Sequence, residues 1–346
     1  MKIRIIAFSR KGCELAQRVC QALENDECEV YSKTAADTAG AKKIEGPVSK
    51  WTEESFRVSD AIIFIGAAGI AVRHIAPFLK NKTTDPAVVS MDDGGRFALS
   101  LLSGHIGGAN DLTEKIAKGI GAVPVITTAT DVRGRFSADS FAAGHDMHMN
   151  SMSAAKKVSS LIVDDKKVGL ASDIPISGGI PPELDLNGNE DVGIFISYGR
   201  SEGPFKTTLK LTPRCHILGI GCRRGASAES IEALVGDVLK RENISINSVR
   251  AAATIDLKCD EEGLLEFSEK IGAELLLFSP GELASLPDTG FTSSERVMSA
   301  VGVGNVCERA AVAASDNGEM IVKKTSRNGV TLAVVREPVY LDLMRK

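Results

Sequence analysis

In AIIFIGAAGIAVR, residues 61–73, an unbroken apolar run enters a glycine turn and leaves it as a helical pattern. The run AIIFI suits a strand buried on both faces, and after Gly66 and Gly69 the residues Ile70, Ala71 and Val72 open a helix. Strand, tight turn and helix in that order is the unit of a parallel sheet with helices packed on it. The same texture extends both ways. Upstream, IRIIAF (3–8) is a predicted strand, GCELAQRVCQALEN (12–25) a predicted helix with apolar residues at 13, 15, 16, 19, 20 and 23, and CEVYS a further strand. Downstream, AVVSM and VPVIT continue the strand series, and residues 1–132 read as an N-terminal Rossmann-like open parallel α/β domain with glycine-rich loops.

Beyond that point the punctuation changes. HDMHMNSMSAAKKVSSLIV reads as a loop and a helix, and the short strands KVGLAS and DVGIFIS are separated by Pro and Gly clusters, so 133–212 is expected to be a small mixed α/β middle domain. HILGIGCRRGAS then restarts a strand, loop and helix. Helices near 227–241 and 260–272, with strands near 247–255, 274–278 and 330–335, complete a C-terminal α/β domain over 213–346. No repeat at a fixed period and no low-complexity segment interrupts this order.

Composition narrows the function classes. The chain has 346 residues, 43% hydrophobic and 25% charged, which is the balance of an ordinary globular protein. A net charge of −4 gives no global basic field for nucleic acid, so no nucleic-acid partner is expected. Apolar runs are broken by glycine well before the roughly 20 residues a membrane span needs, so no membrane partner is expected either. The N-terminus MKIRIIAFSRKG carries charges inside its apolar run, unlike a signal peptide, and a cytoplasmic location is expected. The seven cysteines form no CxxC pair, so reduced structural thiols are expected and no metal site.

Chemistry in an open α/β sheet is expected in the loops at strand ends, where helix N-termini point backbone amides at a ligand. Gly66 and Gly69, with Arg73 nearby, resemble a phosphate-cradling turn, but the full GxGxxG order and the acidic residue about 20 positions on are missing. KNKTTDP brings Lys82, Thr83, Thr84 and Asp85 ahead of a proline that extends the backbone at Asp85. The DDGG that follows has the composition of a hairpin turn. SLLSGHIGGAND (100–111) places Ser103, Gly104, His105, Gly107, Gly108, Asn110 and Asp111 in and behind one turn. VITTATDVRGR (125–135) adds Thr127, Thr128 and Asp131, expected to face the same crevice. In the last domain, Gly221, Arg223 and Arg224 suit a carboxylate or phosphate clamp, since guanidinium groups bind such oxygens in pairs. Gly302, Gly304 and Asn305 launch another helix, and Lys323 lies near an Asn-Gly hairpin. Together these residues suit a ligand with several negative groups.

In order, IGAAGIAVR, KTTDPAVV, SLLSGHIGGAND, ITTATD, LGIGCRRG, TIDLKCDEEGLLE, GVGNVCERAA and KKTSRNGVTLAVVRE resemble the CbiG family of cobalamin biosynthesis, the cobalt-precorrin-5A hydrolases. The resemblance runs along nearly the whole chain and is weakest from about 145 to 210. It implies hydrolysis of a corrinoid ring lactone and loss of the C20 carbon with its methyl as acetaldehyde. The partner it implies is a cobalt-corrinoid small molecule rich in acetate and propionate groups, with neighbouring pathway methyltransferases as further partners. No cofactor beyond the substrate's own cobalt is implied. Lactone hydrolysis needs a base for water and donors for the oxyanion. His105 is the expected base or acid, Asp111 or Asp85 the group that orients it, and the Gly107 and Gly108 amides the expected oxyanion donors. A competing role for His105 is axial ligation of the substrate cobalt. Two other function classes stand beside the hydrolase: a non-catalytic corrinoid carrier whose anion-binding surface would have the same composition and, without the resemblance, a nucleotide-binding α/β regulator, against which the incomplete phosphate motif counts.

Overall fold

The computed structural model describes the chain apart from residues 37, 39, 82, 83, 106, 129–133, 187, 288, 289, 293–302, 345 and 346. It divides into two compact units, Met1–Ala143 and Gly144–Lys346.

In the first unit a seven-stranded sheet has the order β3-β2-β1-β4-β5-β6-β7. Its strands are β1 (Lys2–Ala7), β2 (Glu27–Ser32), β3 (Lys42–Lys43), β4 (Ala61–Ile65), β5 (Ala87–Met91), β6 (Phe97–Leu102) and β7 (Val123–Val125). Helices α1 (Arg10–Ala22), α2 (Val48–Val58), α3 (Ala68–Ile75), α4 (Ala109–Ile120) and α5 (Ala138–Gly144) belong to it. The all-apolar β4 is buried at every position, as its sequence requires. One face of the sheet is covered by α1 and α4 over Ile3, Ile5, Ile63 and Val89; the other holds Trp51 of α2 and Ile75 of α3 against Ile6, Ile62 and Phe64.

The strands are mostly parallel, with one reversal that governs the loops. DDGG is the hairpin its composition suggested: Gly95 N–H donates to Asp92 O, and β5 and β6 run antiparallel with Met91 opposite Ala98. β7 is parallel to β6. The ends of β6 and β7 therefore emerge at the sheet edge where β1, β4 and β5 begin, not at the edge where β4 ends.

The second unit holds two five-stranded sheets and a short two-stranded one. The first has the order β11-β9-β12-β13-β8, from β8 (Met147–Met149), β9 (Val168–Ser172), β11 (Leu184–Asp185), β12 (Val192–Ile196) and β13 (Thr207–Pro213), with α6 (Met152–Val163) packed on it. β8, within the segment whose sequence reads as a loop, becomes an edge strand by pairing antiparallel with β13. The second has the order β16-β15-β14-β18-β17, from β14 (His216–Cys222), β15 (Val249–Ile255), β16 (Glu274–Phe278), β17 (Glu319–Arg327) and β18 (Val330–Arg336). Helices α7 (Ala228–Arg241) and α8 (Glu262–Ile271) fall where the sequence places them, and α9 (Pro280–Ser285) and α10 (Val306–Ala313) complete the unit. β10 (Ile176–Ser177) pairs with β19 (Leu341–Asp342). The packing of α10 on β14 is close: a Cβ on Gly219 would lie 1.8 Å from the Cys307 carbonyl oxygen, so only glycine fits.

Candidate functional site

Behind β6 the chain makes a turn whose special residues are used by the turn itself. Ser103 is left-handed at φ 57°, and its hydroxyl donates to Asp85 O at 3.0 Å. The carbonyls of Ser103 and Gly104 accept the N–H groups of Ala109 and Asn110 at 3.1 and 2.9 Å, so the loop caps α4 with its own backbone. Gly108, at φ 78°, is the residue from which α4 starts, and its N–H donates to His105 O. A Cβ on Gly107 would lie 2.3 Å from Ser103 Cβ, so the loop closes only without one.

These bonds take up part of the turn expected to act as a carboxylate cradle. The amides of Gly108, Ala109 and Asn110 have partners inside the loop, and Gly108 is not an available oxyanion donor. Asn110 is likewise a strut: buried, it accepts from Ser100 Oγ at 2.6 Å and donates through Nδ2 to Thr128 Oγ1 at 3.1 Å, tying β6, α4 and the loop after β7 together.

What the turn presents is His105. Its Nδ1 lies 3.1 Å from Asp139 Oδ1 and 3.0 Å from Ser137 Oγ, and the Ser137 hydroxyl donates to that same Asp139 oxygen at 2.6 Å. The His105 and Asp139 side chains are only 13% and 12% exposed. Ser137 is held by α5, accepting Phe141 N–H at its carbonyl and Ser140 N–H at Oγ.

Among the described residues the carboxylate beside His105 is Asp139, and neither Asp111 nor Asp85. Asp111 sits in the first turn of α4 with its side chain in solvent. Asp85 is buried and accepts the backbone N–H groups of Lys80 and Asn81, which folds the loop ahead of β5. Sequence reasoning passed over Ser137 and Asp139 because they lie 32 and 34 residues from His105. The readable signal was FSADSF, a serine cap with an aspartate in the first helical turn.

The expected single crevice divides. Gly66 and Gly69 open α3 at the opposite sheet edge, where Gly66 N–H donates to Met91 O; Arg73 is exposed on that helix. Thr84 donates its N–H to Asn81 O in the loop beside Ser103, and Thr127 is exposed after β7. Lys82, Thr83, Asp131 and Gly302 lie outside the described residues.

The second unit's loops are engaged differently from the clamp expected of them. Arg224 pairs with Asp260 at 3.2 Å and lies 3.8 Å from Glu261, whose other oxygen accepts Gly225 N–H. Lys258 also reaches Glu261, at 2.9 Å. Arg223 N–H donates to Gly329 O, and its side chain packs on that glycine of the β17–β18 hairpin. A Cβ on Gly221 would meet Thr331 Oγ1 at 2.6 Å. Asn305, almost fully buried, caps α10 by accepting Glu308 N–H at 3.0 Å, with Gly304 half-buried before it. Lys323 is exposed on β17. All seven cysteines are free thiols, and burial pushes Cys215 and Cys307 up to about 12 and about 11, which keeps both protonated.

Two family models match the chain: Cobalamin synthesis G N-terminal over residues 50–131, and Cobalamin synthesis G C-terminus over 216–335. A cobalt-precorrin-5A hydrolase of Priestia megaterium is 30% identical over 96% of this chain and 94% of its own. The chain belongs to the CbiG family. A second relative, the cobalt-precorrin-5A hydrolase of Salmonella typhimurium, is 31% identical over 96% of this chain and 97% of its own. The crystal structure of a cobalamin biosynthesis protein G homolog from Sulfolobus solfataricus aligns over 97% of both chains, with a TM-score of 0.42 at 22% identity. His105 lies inside the N-terminal CbiG match, whereas Ser137 and Asp139 lie beyond its end. Among the described residues, no helix is long and apolar enough to cross a membrane.

Proposed function

We propose that this chain hydrolyses the ring lactone of cobalt-precorrin-5A and releases the C20 fragment as acetaldehyde, giving cobalt-precorrin-5B in anaerobic cobalamin biosynthesis. The observation that carries this is near-full-length similarity to two curated hydrolases of that name. In this reading the enzyme acts in the cytoplasm, and cobalt arrives in the substrate without a resident cofactor.

In this reading His105 is the catalytic residue. Water adds to the lactone carbonyl and gives a proton to His105; the acyl C–O bond breaks, and the imidazolium returns that proton to the departing C20 oxygen. The freed C20 hydroxyl is then deprotonated, its electrons form the carbonyl of acetaldehyde, and the bond from C20 to the ring breaks with its electron pair left on the macrocycle. A base near neutral pH suits both proton transfers, which is the range of an imidazole. Water is preferred to serine as nucleophile because Ser103 already donates its hydroxyl to a backbone carbonyl.

The test is anaerobic incubation with cobalt-precorrin-5A and trapping of acetaldehyde. The wild-type chain is expected to release one acetaldehyde per substrate, and His105→Ala to bind the corrinoid without turning it over. Binding by the wild type without any acetaldehyde would overturn the hydrolase reading.

A further inference from the structure

We propose that Asp139 and Ser137 are positioning residues that fix His105 in the tautomer with a proton on Nδ1, leaving Nε2 as the basic nitrogen. The proposal rests on the role given to His105 above. Two oxygens converge on one ring nitrogen: Asp139 Oδ1 at 3.1 Å and Ser137 Oγ at 3.0 Å from Nδ1, with 2.6 Å between them. An ionised carboxylate accepts hydrogen bonds and cannot donate, so the Ser137 proton lies toward Asp139. A bare Nδ1 would then turn its lone pair on both oxygens at contact distance. With a proton on Nδ1 the same three atoms attract one another, and a neutral imidazole has only one proton to place.

The arrangement differs from a Ser-His-Asp relay. There the serine and the aspartate address opposite ring nitrogens and the serine is the nucleophile. Here both address Nδ1, so Ser137 is not activated for attack. As His105 takes up a proton, the neighbouring carboxylate stabilises the imidazolium, more strongly because the pair is largely shielded from water. Both partners lie at the start of α5, where Ser137 Oγ also accepts Ser140 N–H and the Phe136 and Phe141 rings lie 5.6 Å apart.

Nitrogen-15 NMR of the full-length protein reads the tautomer, with His105→Gln assigning one ring among five histidines. The expected wild-type signal is the Nδ1–H form at neutral pH. In Asp139→Asn the amide turns its NH2 toward Nδ1, shifting the ring to Nε2–H. Turnover should then fall on the order of 100-fold in kcat, within the range set by a misplaced general base, while KM changes only a few-fold. Ser137→Ala should leave the tautomer in place and lower kcat by less than about 10-fold.

A wild-type ring protonated on Nε2, or an Asp139→Asn enzyme with unchanged tautomer and kcat, would overturn the proposal. Should Asp139→Asn fail to fold, the wild-type tautomer and Ser137→Ala decide it. Full turnover by His105→Ala instead overturns the role of His105 itself, a result separable from an inactive His105→Ala beside an unaffected Asp139→Asn.

Discussion

The glycine loops after β6 and after β14 share a composition and differ in what their neighbours do with the charged side chain. After β6, the residues around His105 cap one another through backbone carbonyls, and the ring is left against Asp139 and Ser137. After β14, Arg224 is drawn to Asp260 and Glu261 on the segment leading into α8, and Arg223 lies along the hairpin glycine. One loop holds a histidine against a carboxylate and a serine hydroxyl. The other uses its charge to pin two loops together. The same loop composition serves different contacts, set by which residues the fold brings beside the loop's polar side chain.

The largest expected contrast between the two loops is kinetic. His105→Ala should lower kcat on the order of 10³-fold, the contribution expected of a general base, whereas Arg224→Ala should leave kcat and KM within about 2-fold. Anaerobic single-substrate kinetics on both variants would decide it, and an Arg224→Ala enzyme with a KM raised on the order of 10-fold or more would restore the clamp.

The second contrast is between two histidines. His216 on β14 is fully buried, and burial, assisted by Arg336, lowers it to about 4. Folded, its ring stays neutral down to about that pH, while the unfolded chain takes up the proton near 6.5. Between those values the unfolded state binds more protons, so stability falls as the solution is acidified. The full loss is on the order of 3 kcal/mol at 1.36 kcal/mol per unit. In His216→Phe the decline of Tm between about pH 7 and pH 4 should flatten. An identical decline in both proteins would mean that other groups carry it.

The third contrast sets two glycines against each other. Gly107→Ala places a methyl 2.3 Å from Ser103 Cβ and 2.8 Å from its carbonyl oxygen, and should destabilise by about 1–3 kcal/mol as the His105 turn shifts. Gly225→Ala meets no atom within 4 Å, but its φ of 72° still costs a side chain about 1 kcal/mol. Chemical denaturation of both variants ranks them; a Gly107→Ala protein as stable and active as wild type would show that the turn tolerates rearrangement.

The smallest effect belongs to the Arg224 pair as a stabilising contact. Arg224 is 72% exposed and Asp260 62%, so their removal should cost under about 1 kcal/mol, less in high salt.

Much of this protein was legible from its residues. The buried run AIIFI, the amphipathic repeat of α1 and the Asp-Asp-Gly-Gly and Asn-Gly turns fix which segments are strands, helices and hairpins, because those choices follow from local periodicity and backbone freedom. The ordered series of motifs gave the family, and SLLSGHIGGAND supplied the histidine. The division of the loops between two sheet edges, the choice of Asp139 over Asp85 and Asp111, and the neutralisation of Arg224 were not legible. Each depends on which distant groups the folded chain brings within hydrogen-bond reach. Periodicity within one segment carries no information about that, because hydrogen bonds and charge pairs act over a few ångströms in space, however many residues separate the partners along the chain.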